Sequence, residues 1–234
     1  MRRDPRLRFV EVLFTLAAVS VVSAYALAHE QTLPKDVPEY MQAISVTIKA
    51  GFSEGSGVAI DRNGTTFVWT AGHVVDGLRS MRKVTDPKTG TPRTIIEFDD
   101  AKIVKTLVED GRTVGYLHLD AEVIRYSNAD HGQDLAILRV RKKGAIKTSA
   151  VFYDEEKPPK LGTQLFHVGS LLGQVGSNSM TSGIVSAHGR LIGKTIYDQT
   201  TVTAFPGSSG GGVYLTDGRY VGMLVRGAGV GFYL

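Results

Sequence analysis

Three short segments carry residue types that can do chemistry together. Thr70-Ala-Gly-His-Val-Val75 places His73 just after a run that includes Trp69, and Asp134-Leu-Ala-Ile-Leu-Arg-Val140 places an acid at the mouth of an apolar run. Pro206-Gly-Ser-Ser-Gly-Gly-Gly212 presents Ser208 and Ser209 in a glycine-rich turn. A hydroxyl nucleophile is inert at neutral pH unless an imidazole takes its proton. The imidazole in turn needs a carboxylate to fix its tautomer and to stabilise the imidazolium. Glycines around the serine let backbone N–H groups turn inward toward a developing oxyanion. Taken singly, each segment has an ordinary reading: a polar surface histidine, a strand-capping aspartate, a flexible Gly-Ser loop. Their joint occurrence in the order His, Asp, Ser points instead to acyl transfer.

Other chemistries fit less well. The chain has no cysteine, so thiol nucleophiles, thiolate metal sites and disulfides are excluded. Gly207-Ser-Ser-Gly-Gly211 also satisfies G-x-S-x-G, the nucleophile elbow of α/β-hydrolases, but that fold places its histidine after the serine. All six histidines here (29, 73, 118, 131, 167 and 188) precede Ser209. A subtilisin-like order needs an aspartate before the histidine in a helix-rich chain, and neither Asp36 nor Asp61 is followed by helical periodicity. His118 and Asp120, at alternate positions of one strand, could form a metal site with His131, yet they fit the polar face of a hairpin strand as well. No metal and no organic cofactor is expected.

These segments must be positioned by strands. Short apolar or alternating runs rich in β-branched residues recur at Ala43–Lys49, Gly57–Ile60, Thr66–Thr70, Thr94–Phe98, Ile103–Leu107, Val114–Ile124, Leu135–Val140, Gln164–Val168, Gly183–Ala187, Gly212–Leu215 and Tyr220–Val225. Gly, Asn and Asp punctuate them, and no long window outside the N-terminus holds a 3.6-residue period. Regularly spaced short strands predict a sandwich or barrels. The polar, proline-rich stretch 153–162 divides the sequence into an N-terminal β-unit at 40–152 and a C-terminal one at 163–234.

The N-terminus has a different composition. Arg2, Arg3, Arg6 and Arg8 precede an apolar run from Val12 to Ala28 that ends in Ala26-Leu27-Ala28, the pattern of a secretory signal peptide. Phe9 to Ala28 is also nearly long enough for a membrane anchor. Residues 1–28 therefore read as signal or anchor, with 29–39 as a linker, and the protein is expected to be exported, periplasmic or extracellular. Among 234 residues, 27 Lys and Arg face 23 Asp and Glu, for a net charge of +4. The N-terminal segment holds four of those arginines against two acids, and the rest of the basic charge is scattered. No basic stripe suited to nucleic acid remains.

On these blocks the chain resembles the chymotrypsin-fold, trypsin-like serine proteases. Thr70-Ala-Gly-His73, Asp134-Leu-Ala-Ile-Leu138 and Gly207-Ser-Ser-Gly-Gly211 are similar to that family's three triad blocks. Gly55-Ser-Gly-Val-Ala-Ile60, Thr181-Ser-Gly-Ile-Val-Ser-Ala-His-Gly-Arg190 and the terminal Gly229-Val-Gly-Phe232 are similar to its HtrA branch. The resemblance implies an all-β fold of two six-stranded antiparallel barrels with the active site in the cleft between them. It implies protein or peptide substrates, with His73 as general base, Asp134 as its orienting acid and Ser209 as nucleophile. Ser209 is preferred to Ser208 because the family's nucleophile directly precedes Gly-Gly. The backbone N–H groups of Gly207 and Ser209 would form the oxyanion hole. Ser208 stands where digestive relatives carry Asp, so activation through a new N-terminus is not expected. Only 25 residues follow Ser209, so neither a PDZ domain nor a C-terminal helix is expected. A protease-like fold serving as a non-catalytic binding or chaperone module is the alternative.

In that fold the pocket for the side chain before the scissile bond lies between the segment entering the nucleophile loop and the strand after it. Thr203, Ala204, Met223 and Arg226 are its expected lining. Without an acid there, Lys or Arg would be buried unpaired, which costs several kcal/mol. Cleavage after Ala, Val or Leu is expected, with an acidic preference set by Arg226 as runner-up.

Overall fold

A computed structural model describes residues 36–228 and 231–233 of the chain. The signal or anchor reading of 1–28, and the linker up to residue 35, fall outside these residues. Among the described residues no helix is long and apolar enough to cross a membrane.

The first element is a helix that the strand-dominated reading of the sequence does not anticipate. α1 (Val37–Ile44) starts at Asp36, whose carboxylate accepts the Glu39 N–H at 3.0 Å, and has Pro38 in its first turn. Its eight residues are too short to give a sustained period, but Tyr40, Met41 and Ile44 share one buried face. That face packs on Val58, Val168, Tyr214 and Tyr220. α1 thus joins strands from both halves of the fold.

Six strands then close a barrel in the order β1 (Ser45–Ala50), β2 (Ser53–Arg62), β3 (Thr65–Ala71), β8 (Leu135–Val140), β7 (Arg112–Ser127) and β6 (Ala101–Glu109). Asn63-Gly64 and Asp110-Gly111, all four at positive φ, make the tight β2–β3 and β6–β7 hairpins. Alternate residues of β3 and β8 face inward, and Val46, Ile48, Val68, Ile103 and Leu138 fill the interior. β4 (Arg79–Thr85) and β5 (Pro92–Phe98) form a separate two-stranded hairpin, of which only the second strand is visible as a sequence pattern.

The C-terminal half departs from the expected second six-stranded barrel. It is a seven-stranded antiparallel sheet in the order β13 (Tyr220–Met223), β12 (Gly212–Leu215), β9 (Gln164–Gly169), β10 (Ser179–Ile192), β11 (Thr195–Thr200), β15 (Gly231–Tyr233) and β14 (Arg226–Ala228). Its two edge strands, β13 and β14, are separated by only Leu224 and Val225, so the sheet must curl until its edges nearly meet. Leu224 spends both backbone groups on the loop before β12, accepting from Gly210 N–H at 2.7 Å and donating to Gly211 C=O at 3.0 Å. Leu165, Val185, Val202, Val213 and Leu215 make this sheet's core.

Candidate active site

Strand register brings the histidine and the aspartate together. Ala71, the last residue of β3, pairs with Leu135, the first of β8. His73 lies two residues past the one end, on the short helix α2 (Gly72–Val75), and Asp134 one residue before the other. Val74 and Val75 are buried and anchor that single turn. Asp134 is a non-glycine residue at φ +50°, a strained conformation of the kind that persists where surrounding structure fixes it.

The Asp134 carboxylate uses both oxygens on His73. Oδ1 accepts the His73 backbone N–H at 2.8 Å, and Oδ2 bonds the ring Nδ1 at 2.9 Å. A carboxylate only accepts, so Nδ1 carries the hydrogen and Nε2 is left as the basic nitrogen. The aspartate side chain is 6% exposed and the imidazole 40%. The acid is therefore shielded and paired, while the base remains open to a reactant.

Ser209 is placed by backbone rather than by side-chain bonds. Its carbonyl accepts the Ser56 N–H at 2.8 Å, and the flanking turn is closed by Ser208 N–H to Phe205 C=O and Gly211 N–H to Ser208 C=O, both at 2.9 Å. The loop abuts the element that carries the histidine. A Cβ at Gly55 would lie 2.6 Å from Val74 Cγ2 and 3.1 Å from the Ser209 carbonyl oxygen, so only glycine fits between the two. No hydrogen bond links His73 to the Ser209 hydroxyl among the described residues. Catalytic hydrogen bonds of this kind tighten on substrate binding.

Gly207, at φ +94°, adopts a backbone conformation that a side chain would strain, and a Cβ there would also strike the Ser170 carbonyl at 2.3 Å. Among the described residues neither the Gly207 N–H nor the Ser209 N–H has a partner. Two unspent donors thus flank the serine, as an oxyanion hole requires. Ser208 differs from its neighbour. It is 2% exposed, and its hydroxyl oxygen accepts the Phe205 N–H at 3.1 Å, whereas Ser209 is half-buried and its hydroxyl is unbonded.

A residue without an assigned role in the sequence reading, Ser56, ties the loop down. Its hydroxyl donates to the Gly207 carbonyl at 2.7 Å and accepts the Ser170 N–H at 2.7 Å, and the Ser170 hydroxyl bonds Thr47 Oγ1 at 2.5 Å. The relay runs from β1 and β2 of the barrel through the end of β9 to the loop, and all three hydroxyl residues are buried. A serine inside the otherwise apolar, buried run of β2 was the available signal.

His167, from β9, lies beneath the same loop. It is fully buried, bonds the Gly212 carbonyl through Nδ1 at 3.0 Å and leaves Nε2 without a partner. Burial pushes its pKa down to about 4, with the bond to the Gly212 carbonyl opposing. His118 and Asp120 take ordinary strand positions opposite Val104 and Lys102, and Asp120 is ion-paired with Lys102. No cluster of metal-ligating side chains occurs among the described residues.

A cavity of about 410 Å³ opens beside Ser208 and Ser209, walled by Ala204, Phe205 and Pro206 on one side and by Leu224, Arg226 and Gly227 on the other. Of the four residues proposed for a specificity pocket, Ala204 and Arg226 line this cavity and Thr203 and Met223 do not. Thr203 is exposed, with its carbonyl accepting from Thr181 Oγ1 at 2.8 Å, and Met223 packs against the cores. Phe205 and Leu224 take their places.

The profile of the trypsin-like peptidase domain matches residues 55–223. A "Serine protease Do-like HtrA" of Lactobacillus helveticus is 29% identical over 178 residues, covering 74% of this chain and 35% of that protein. A "Probable periplasmic serine endoprotease DegP-like" of Halomonas elongata is 29% identical over 174 residues, covering 73% of this chain and 29% of that protein. The chain thus spans about a third of the length of these curated relatives. The crystal structure of Deg5 has the same fold, with a TM-score of 0.61 at 22% identity over 85% of this chain and 86% of that one.

Proposed function

The chain belongs to the trypsin-like peptidase family, and on that premise we propose that it is an exported serine endopeptidase acting on proteins through an acyl-enzyme. The observation that carries this reading is the doubly bonded His73–Asp134 pair beside a loop whose two free N–H groups flank Ser209.

The roles follow from the atoms. Asp134 holds the imidazole with Nδ1 protonated, so Nε2 accepts the Ser209 proton as Oγ attacks the scissile carbonyl. The carbonyl oxygen, now an oxyanion, takes the N–H groups of Gly207 and Ser209. Nε2 returns the proton to the leaving amine, and a water repeats the sequence on the ester. The reacting bond would lie in the cleft between the barrel and the curled sheet, where the histidine and the serine loop approach each other. No step calls for a metal or an organic cofactor. Export rests on the N-terminal sequence pattern and on relatives whose names place them in the periplasm.

A fluorophosphonate probe tests the reading. It should label the protein on Ser209 and not on Ser208, whose hydroxyl oxygen is already occupied and buried. Cleavage of an unfolded protein should fall about 10⁴-fold or more in Ser209→Ala. An unlabelled Ser209 together with undiminished binding of unfolded protein would instead favour the non-catalytic module.

A further inference from the structure

Among the described residues, the cavity beside Ser209 carries one charge that no acid neutralises. Of the residues that wall it, Arg226 alone is charged, and none is acidic. Five arginines find carboxylates, Arg82 with Glu97, Arg93 with Asp86, Arg139 with Glu122, Arg141 with Asp100, and Arg219 with Asp217 and Glu155, while Arg62, Arg79, Arg112, Arg125 and Arg190 have no ion pair among the described residues. Arg226 has no ion-pair partner among the described residues. An exposed, unpaired arginine is by itself ordinary. Its position is what differs, because it sits on the wall of the nucleophile's cavity, on β14, two residues after the Leu224 backbone that clamps the nucleophile loop.

Taking the peptidase reading as its basis, we infer that Arg226 makes this enzyme select an acidic side chain, Glu or Asp, immediately before the scissile bond. The walls suit such a side chain along its length. Ala204, Phe205 and Leu224 offer apolar surface to the methylene stem, and Gly227 contributes no bulk. The guanidinium then closes on the carboxylate with charge-assisted, bidentate hydrogen bonds. A Lys or Arg side chain would meet like charge and no acceptor. A small apolar side chain would fill the walls but leave the guanidinium outside the contact. Of Thr203, Ala204 and Met223, on which an apolar preference was expected, only Ala204 is in the lining. The same reaction is therefore directed at acidic sites by one side chain of the second β-unit.

The test uses the full chain and peptides that differ only in the residue before the scissile bond. Fluorophosphonate titration of Ser209 in each variant gives rates per reactive molecule. Glu should exceed the isosteric Gln in kcat/KM by roughly ten- to a hundredfold, the range of a hydrogen bond to a charged group at a partly exposed site. The ratio should shrink as salt is raised, because Arg226 is solvent-exposed. It should fall to about one in Arg226→Ala, and Arg226→Glu should turn the preference toward Lys and Arg. A Glu/Gln ratio near one in the wild type, dominant cutting after Ala, Val or Leu, or a Glu preference unchanged in Arg226→Ala would overturn the inference. A wild-type Ser209 that no fluorophosphonate labels would instead overturn the peptidase reading beneath it, and the inference with it.

Discussion

The proposed base and the proposed nucleophile of this site are held by opposite means. His73 and Asp134 stand at paired strand ends of a closed barrel and are joined side chain to side chain, with both carboxylate oxygens engaged. Ser209 stands on an irregular loop beside an open sheet, and its position comes from backbone hydrogen bonds, two glycines at positive φ (Gly207 and Gly210) and a relay of buried hydroxyls. On the barrel side, substitutions should change protonation and leave the frame alone. On the loop side they should loosen the frame that supplies the two N–H donors. The contrast turns into experiments that separate chemical from structural loss.

The largest effect belongs to the barrel side. Asp134→Asn can keep the bond from its amide oxygen to the His73 N–H, but it sets an NH₂ group against Nδ1. The ring must then present a lone pair at Nδ1 and carry its hydrogen on Nε2, where it cannot accept the serine proton. Turnover should fall by about 10⁴-fold with substrate affinity retained, the size expected for a wrong tautomer. Stopped-flow labelling by a fluorophosphonate reads the same step. Labelling within tenfold of wild type would mean that Asp134 does not set the tautomer of His73.

An intermediate effect lies under the loop. His167 is neutral in the folded protein down to about pH 4, while in the unfolded chain it titrates near 6.5. The unfolded chain therefore binds the extra proton first as pH falls. The stability that His167 contributes is complete above about pH 6.5 and is lost progressively toward pH 4. The full interval is worth roughly 3 kcal/mol, of which about 2 should be gone by pH 5. Urea midpoints at pH 7.5 and pH 5 measure it, and in His167→Asn the difference between the two should shrink by most of that amount. An equal acid loss in both proteins would assign it to other groups. His73 is far more exposed than His167, so the two histidines place chemistry and acid lability on different atoms of one site.

How much of this was legible follows from what each feature depends on. His73, Asp134 and Ser209 could be nominated because their roles reside in residue type and in the few neighbours that shape a turn. The closed barrel was legible for a related reason: alternation in β3 and β8, and Asn-Gly and Asp-Gly at the hairpins, are local signals. α1 was missed because eight residues give barely two turns and its buried face is defined by partners from distant strands. The curl of the second sheet was illegible because it depends on backbone hydrogen bonds such as those of Leu224, which any residue could supply. Thr203 and Met223 fall outside the cavity for a similar reason, since one position of slip exchanges wall for surface at the one and for core at the other. Arg226 could be placed because it is the one charged residue in its strand.

The smallest effect is the most informative about the loop. Ser56 is fully buried, and its hydroxyl both donates to the Gly207 carbonyl and accepts from the Ser170 N–H. Ser56→Ala leaves the buried Ser170 N–H and the partly buried Gly207 carbonyl without this partner, which costs on the order of 1–3 kcal/mol in stability. The catalytic consequence is separate. The carbonyl that Ser56 holds belongs to the same residue whose N–H is one of the two proposed oxyanion donors, so freeing it should let the Gly207 backbone rotate and the donor leave its place. Losing part of one donor should lower kcat by about tenfold, below the 10²–10³ of a donor removed outright. KM should stay nearly constant, because the donor acts on the transition state. Ser170→Ala is the control: it keeps the backbone N–H that bonds Ser56 and loses only the hydroxyl contact with Thr47, so its kcat should stay within about twofold. If the Ser170 variant fell as far as the Ser56 variant, the whole relay would be setting the loop. If Ser56→Ala lost stability and no kcat, the glycine turn would be rigid without it.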